Sequence, residues 1–134
     1  AILLTKLNIF IKEEIDAVNK VANYYTDELK DIVITPIVKE GYISSWAQYT
    51  IRLKDKNERN MLQKGLKENN IPSMIYYVKP LHKQGAFTDL AGDLVLSATE
   101  ELCDTVLSLP MHPYMNDEEM ERVVKEVKNI LNER

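Results

Sequence analysis

The sequence predicts an α+β fold: a long N-terminal helix and a short sheet of two to three strands packed with helices. Three observations predict it. Apolar residues recur three and four apart between Ile2 and Leu29, the spacing of one helix face. Residues 47–53 alternate between apolar and polar side chains, the period of a half-buried strand. Near the C-terminus Met120, Val123, Val127 and Leu131 form another helical stripe.

Each element follows in order. Ile15, Val18, Ala22, Tyr25 and Leu29 make the buried stripe of the first helix. Leu3, Leu4, Leu7 and Phe10 make its first turns apolar on more than one side, as expected of a covered helix. Pro36 blocks a helix in the next segment. The first strand places Ala47, Tyr49, Ile51 and Leu53 on one face and Trp46, Gln48, Thr50 and Arg52 on the other. Asp55 and Glu58 have the spacing of a capping box. Met61, Leu62, Gly65 and Leu66 continue a short helix, and the two asparagines Asn69 and Asn70 end it. Residues 71–78 read as the second strand. The stretch 80–94 reads as a loop with one helical turn. Val95, Ala98, Leu102 and Val106 mark a helix, and 108–115, with two prolines, an extended link. Asn116 caps the last helix, with Asp117, Glu118 and Glu119 at its positive end. The predicted order is α-β-α-β-α-α.

Composition narrows the function classes. A chain of 134 residues suits one domain with a single core. Net charge is −4, and no basic patch is dense enough for phosphate-backbone contact, so nucleic acid is not an expected partner. No apolar run is long enough to cross a bilayer, so no membrane association is expected. One cysteine, Cys103, excludes an internal disulfide and fits a reducing, cytoplasmic compartment. Its place in a helical pattern predicts a buried, inert thiol. No glycine-rich phosphate loop, C-x-x-C or H-E-x-x-H is present, so no metal site is expected. His82 and His112 read as exposed loop histidines, and the pairs Glu13–Glu14, Glu100–Glu101 and Glu118–Glu119 as solvated helix faces. The opening residues 1–7 read as the middle of a helix, which predicts a longer parent chain.

The tyrosine-rich segments stand apart. In "MIYYVKPLHKQ" two adjacent tyrosines cannot both face one core if the run is a strand. Trp46, Gln48, Tyr76, Tyr77, Lys79 and His82 form a candidate polar wall. The residues alone leave a second reading open, in which the rings only cover helix ends.

At these residues a family pattern emerges. "WAQYTIRL" (46–53), "GLKENNIPSMIYYVKPLHKQGAF" (65–87) and "LSLPMHPYMNDEEMERVVKEV" (107–127) resemble, in order and spacing, the C-terminal part of the DegT/StrS sugar aminotransferases. The opening "AILLTKLNIF" is similar to the helix that links the large and small domains of that family. The resemblance implies that residues 1–134 are the small domain of a longer, pyridoxal-phosphate-dependent parent of fold-type I, with 1–30 as the inter-domain helix. The parent would bind pyridoxal phosphate through an absent large domain and work as a homodimer. It would move an amino group, with glutamate the expected donor, onto a nucleotide-linked keto-sugar for cell-surface polysaccharide or secondary-metabolite synthesis. Lys6, Lys79 and Lys83 lie in the wrong context for the Schiff-base lysine, so this segment alone is expected to be inactive and to bind no cofactor. Relatives often carry His-Tyr-Pro, facing the sugar nucleotide, where this chain has Tyr76, Tyr77 and Val78. The exchange of His for Tyr keeps a ring and a hydrogen-bonding tip but loses a group that titrates near neutrality. One tyrosine is expected in the core and the other, Tyr77, at the substrate. His112-Pro113-Tyr114 is expected to be structural. The alternative is a free-standing binding or regulatory module derived from the same fold.

Overall fold

The structure, a computed structural model, describes residues 2–132. Ala1, Glu133 and Arg134, the outermost residues of the predicted 1–30 and 1–134 segments, lie outside the described residues. The first element is one unbroken helix in three parts. α1 (Ile2–Ile9) runs through a π-helical turn (Phe10–Glu14) into α2 (Ile15–Leu29). The amide of Ile15 bonds to the carbonyl of Phe10, the wider spacing of a π-turn. That turn presents Glu14, which is buried and accepts hydrogen bonds from Lys6 and from the hydroxyl of Tyr114. It thereby ties the first helix to the link before the last one. Val18, Ala22, Tyr25 and Leu29 are buried as the spacing predicts, joined by Val21. α1 buries no residue, and Ile2, Leu3, Leu4 and Leu7 are all exposed.

After the helix the chain pairs briefly at Ile34 and forms β1 (Tyr49–Arg52). α3 (Lys56–Glu68) follows, then a 3-10 turn (Leu81–Lys83), the single turn α4 (Thr88–Ala91) and α5 (Ser97–Thr105). β2 (Val106–Leu109) and α6 (Asp117–Asn132) complete the chain. β1 and β2 are antiparallel, with Tyr49 opposite Leu109 and Arg52 opposite Val106. Single bridges extend this sheet on both sides, Ile34 to Arg52 and Met74 to Ser108. Tyr49, Ile51, Leu53, Leu107 and Leu109 face the core, where they meet α2, α3 and α6. The other sheet face carries Thr50 and Ser108, whose hydroxyls lie 2.8 Å apart.

The α+β class holds, but the element order does not: the second strand is β2, not residues 71–78. Pro72 offers no amide for a ladder, and the chain bends at Tyr76. Only Met74 pairs there, donating to Ser108 O at 3.0 Å and accepting from Ser108 N at 2.9 Å. Val106 reads as the end of a helix because it completes an apolar stripe with Leu102. α5 stops at Thr105 instead, and Val106 turns extended. This lets Leu107 and Leu109 reach the core on the same face as Ile51. Of the stripe expected on this helix, Val95 and Leu102 are exposed, whereas Cys103 is buried as expected. α3, by contrast, begins at Asp55 and ends as expected, with Asn70 in the left-handed region at φ 56°.

Candidate functional site

The open sheet face continues into a groove of about 310 Å³. Gln48 enters it from the residue before β1, and Ser73, Met74 and Tyr76 from the strand-like edge. Met111 and His112 close it from the chain that leaves β2. The lining contains no Asp, Glu, Lys or Arg, so the groove suits uncharged polar groups rather than a phosphate. Its lining mixes apolar side chains with amide, hydroxyl and imidazole groups, the composition of a small-molecule site.

Two of the six sequence-selected residues, Gln48 and Tyr76, meet in this groove. The others lie elsewhere. Trp46 and Ala47 precede the strand rather than belonging to it, and Trp46 has φ 44°. This breaks the alternation, so Trp46 does not share the open face with Gln48. Its ring packs against Tyr49 at 5.5 Å, and its Nε1–H donates to Asn19 Oδ1 at 2.9 Å. Ala47, expected on the core face, is exposed and lines the groove. Neither tyrosine of the pair is buried: Tyr76 is 53% and Tyr77 72% exposed. The expectation that one of them packs in the core therefore fails, because the chain bends there instead of continuing a strand. Lys79 is exposed in the same bend.

His82 has a different setting. Its side chain is only 7% exposed, contrary to an exposed loop histidine, and its Nε2 lies 3.1 Å from Glu100 Oε1. It lines a second cavity, also about 310 Å³, with Leu81, Phe87, Leu90, Leu96 and Thr99. Glu100 pairs with Lys83 as well. Those two hydrogen bonds, Lys83 first and His82 second, hold the Glu100 carboxyl below its ordinary value. Glu100 thus anchors the 3-10 turn onto α5 and is not merely a solvated helix residue.

Sequence reasoning missed His112 as a groove residue. The signal was present: the alternation of β2, carried on from Ser108 through Pro110, places His112 on the open face.

Among the described residues, no group of three or more His, Cys, Asp or Glu is arranged to hold a metal. No described lysine is buried, and Lys6, Lys20, Lys56, Lys83 and Lys128 are tied up in ion pairs. The described residues therefore do not by themselves fit the lysine-bearing cradle that pyridoxal phosphate requires.

The architecture defines the chain first as an aminotransferase-type α+β domain. It superposes on a solved DegT/DnrJ/EryC1/StrS aminotransferase from Brucella abortus with a TM-score of 0.86 and 36% identity, over 96% of this chain and 34% of that one. Residues 1–128 match the DegT/DnrJ/EryC1/StrS aminotransferase family, and the chain belongs to that family. Among its relatives is the UDP-2-acetamido-2-deoxy-3-oxo-D-glucuronate aminotransferase of Pseudomonas aeruginosa. The two are 41% identical over 117 residues, which cover 87% of this chain and 31% of that protein. Another is the dTDP-3-amino-3,6-dideoxy-alpha-D-galactopyranose transaminase of Aneurinibacillus thermoaerophilus, 34% identical over 128 residues, covering 95% and 34% respectively. The chain spans about a third of the length of these relatives. No helix among the described residues is long and apolar enough to cross a membrane.

Proposed function

We propose that this chain is the small domain of an aminotransferase that makes amino-sugars on a nucleotide carrier. The amino group leaves an amino-acid donor, glutamate, which becomes its keto acid, and the keto carbon of the sugar becomes an amine-bearing carbon. The single observation that carries this reading is the family match over residues 1–128, with relatives named for UDP- and dTDP-linked sugars. Pyridoxal phosphate would supply the amino-carrying chemistry, held by residues outside this segment. The share of about a third of the relatives' length supports a further, cofactor-binding domain. The exposed apolar residues of α1 support a helix covered by that domain in the whole protein, which in this reading is a homodimer in the cytoplasm.

In this reading the segment contributes substrate wall rather than chemistry. Gln48 and Tyr76 orient the sugar from the groove, while Tyr77 and Lys79 stand on the adjoining bend. Trp46 and His82 act behind them, fixing the approach to β1 and the 3-10 turn. The test is to supply the whole protein that carries this chain with glutamate and a UDP- or dTDP-linked 3-keto or 4-keto sugar. Formation of 2-oxoglutarate together with the amino-sugar is expected. Absence of both with every such sugar, in cofactor-loaded protein, would overturn the reading.

A further inference from the structure

We infer that His112 contacts the ligand of the open-face groove, donating its Nε2–H to an uncharged oxygen of a sugar ring seated against Tyr76. The inference rests on the sugar-nucleotide reading above and adds a residue and a chemistry to it.

Position is the first support. His112 lines the groove with Gln48 and Tyr76, two residues after Pro110 and four after Ser108, which line it too. The second support is the state of the ring. His112 Nδ1 accepts the backbone N–H of Tyr114 at 3.2 Å. A neutral imidazole that accepts at Nδ1 carries its proton on Nε2. The backbone bond therefore leaves Nε2 as the donating nitrogen of a side chain that lines both this groove and the adjoining cavity of Met115, Glu119 and Arg122.

The lining decides the kind of ligand. Without a charged side chain, the groove gives a diphosphate nothing to pair with. Met74 and Met111 are apolar, Tyr76 offers a ring face, and Gln48, Ser73 and His112 carry polar tips. A pyranose has the matching pattern, an apolar ring face with hydrogen-bonding groups around its edge. A flat nucleobase would gain most from a second aromatic wall, and Tyr76 is the only aromatic carbocycle in the lining. A cavity of about 310 Å³ admits one sugar ring.

The experiment separates the donor from the turn. His112→Asn keeps an acceptor for the Tyr114 amide, since an Asn side chain bonds the amide two residues on, but removes the distal donor. His112→Gln keeps a distal N–H. In the whole protein, His112→Asn should raise KM for the keto-sugar nucleotide by roughly three- to tenfold and change kcat less than about twofold. His112→Gln should stay within about twofold of the wild-type KM. In nitrogen-detected NMR, the His112 Nε2 signal should shift with UDP-N-acetylglucosamine and not with uridine. An unchanged KM in His112→Asn, or an equal shift with uridine, overturns the inference while the aminotransferase reading stands. A wild-type protein that neither forms amino-sugar nor responds to UDP-N-acetylglucosamine overturns both.

Discussion

A Cβ placed on Gly65 of α3 would lie 2.7 Å from Cδ1 of Ile130 on α6, and 3.0 and 3.2 Å from its Cγ1 and Cγ2. The two helices meet at the one residue type that leaves room for this branched side chain. Two effects compete when Gly65 becomes Ala. The helix gains about 1 kcal/mol from lost chain freedom in the unfolded state. Overpacking costs about 1–3 kcal/mol, and a β-branched side chain is stiff at χ1, so it yields poorly. Gly65→Ala should therefore destabilise the domain by about 1 kcal/mol. In an Ile130→Ala background all three crowding atoms are gone, and the same substitution should stabilise. Urea unfolding of the four proteins reads the sign in each background. The same sign in both would sink the packing account.

The start of α3 provides an independent check on local structure. Asp55 accepts from the amides of Asn57 at 2.8 Å and Glu58 at 2.9 Å. Glu58 reaches back to the amide of Lys54 at 2.7 Å, one residue beyond the usual partner in a capping box. Asp55→Ala should lower stability by about 1 kcal/mol, and Asp55→Ser should recover most of it. Equal midpoints for wild type and Asp55→Ala in urea would mean that the cap adds nothing.

Acid should loosen the turn that holds His82. The carboxyl of Glu100 sits below its ordinary 4.5 because Lys83, and then His82, hydrogen-bond its charged form. A carboxylate depressed in the folded state adds stability above its unfolded value and loses it as pH falls through the lower folded value. The contribution is thus full above about pH 4.5 and fades below it. Thermal melts from pH 7 to pH 3 should fall more steeply at the acid end for wild type than for Glu100→Gln. Parallel curves would remove Glu100 from the account.

What the sequence made legible was governed by short-range physics. The stripe of α6 and the cap at Asn116, which trades hydrogen bonds with Glu119 at 2.9 Å in both directions, follow from neighbours within one turn. The sheet did not. Residues 71–78 have strand composition, but Pro72 and the bend at Tyr76 leave only one bridge. Val106 has helix spacing, but pairing with β1 overrides it. The alternation of β1 does give its core face, Tyr49, Ile51 and Leu53, but not the residue at which the strand begins. The strand begins at Tyr49, three residues after Trp46, and His112 lies in the groove although the two prolines around it hide its spacing to the strand. Gln48 and Tyr76 were recognisable as candidates since amphipathic tips next to a strand suit a ligand wall, whatever the strand order.

The tyrosine pair tests the site most directly. Tyr76 lines the groove, whereas Tyr77, one residue on and 72% exposed, is not among its lining residues. Removing a hydroxyl that bonds a neutral ligand group forfeits about 0.5–1.5 kcal/mol. Tyr76→Phe should therefore lower kcat/KM for the keto-sugar nucleotide by roughly three- to tenfold in the whole protein. Tyr77→Phe should change it less than about twofold. Neither substitution removes buried surface that the core depends on, so both variants should melt with the wild type, which excludes unfolding as the cause. The amino-acid donor should be used equally well by all three proteins, because the groove is assigned to the sugar. A loss confined to Tyr77→Phe would move the sugar from the groove to the outer side of the bend. Wild-type kinetics in both variants would leave "MIYYVKPLHKQ" as a structural bend between the sheet edge and the turn at His82.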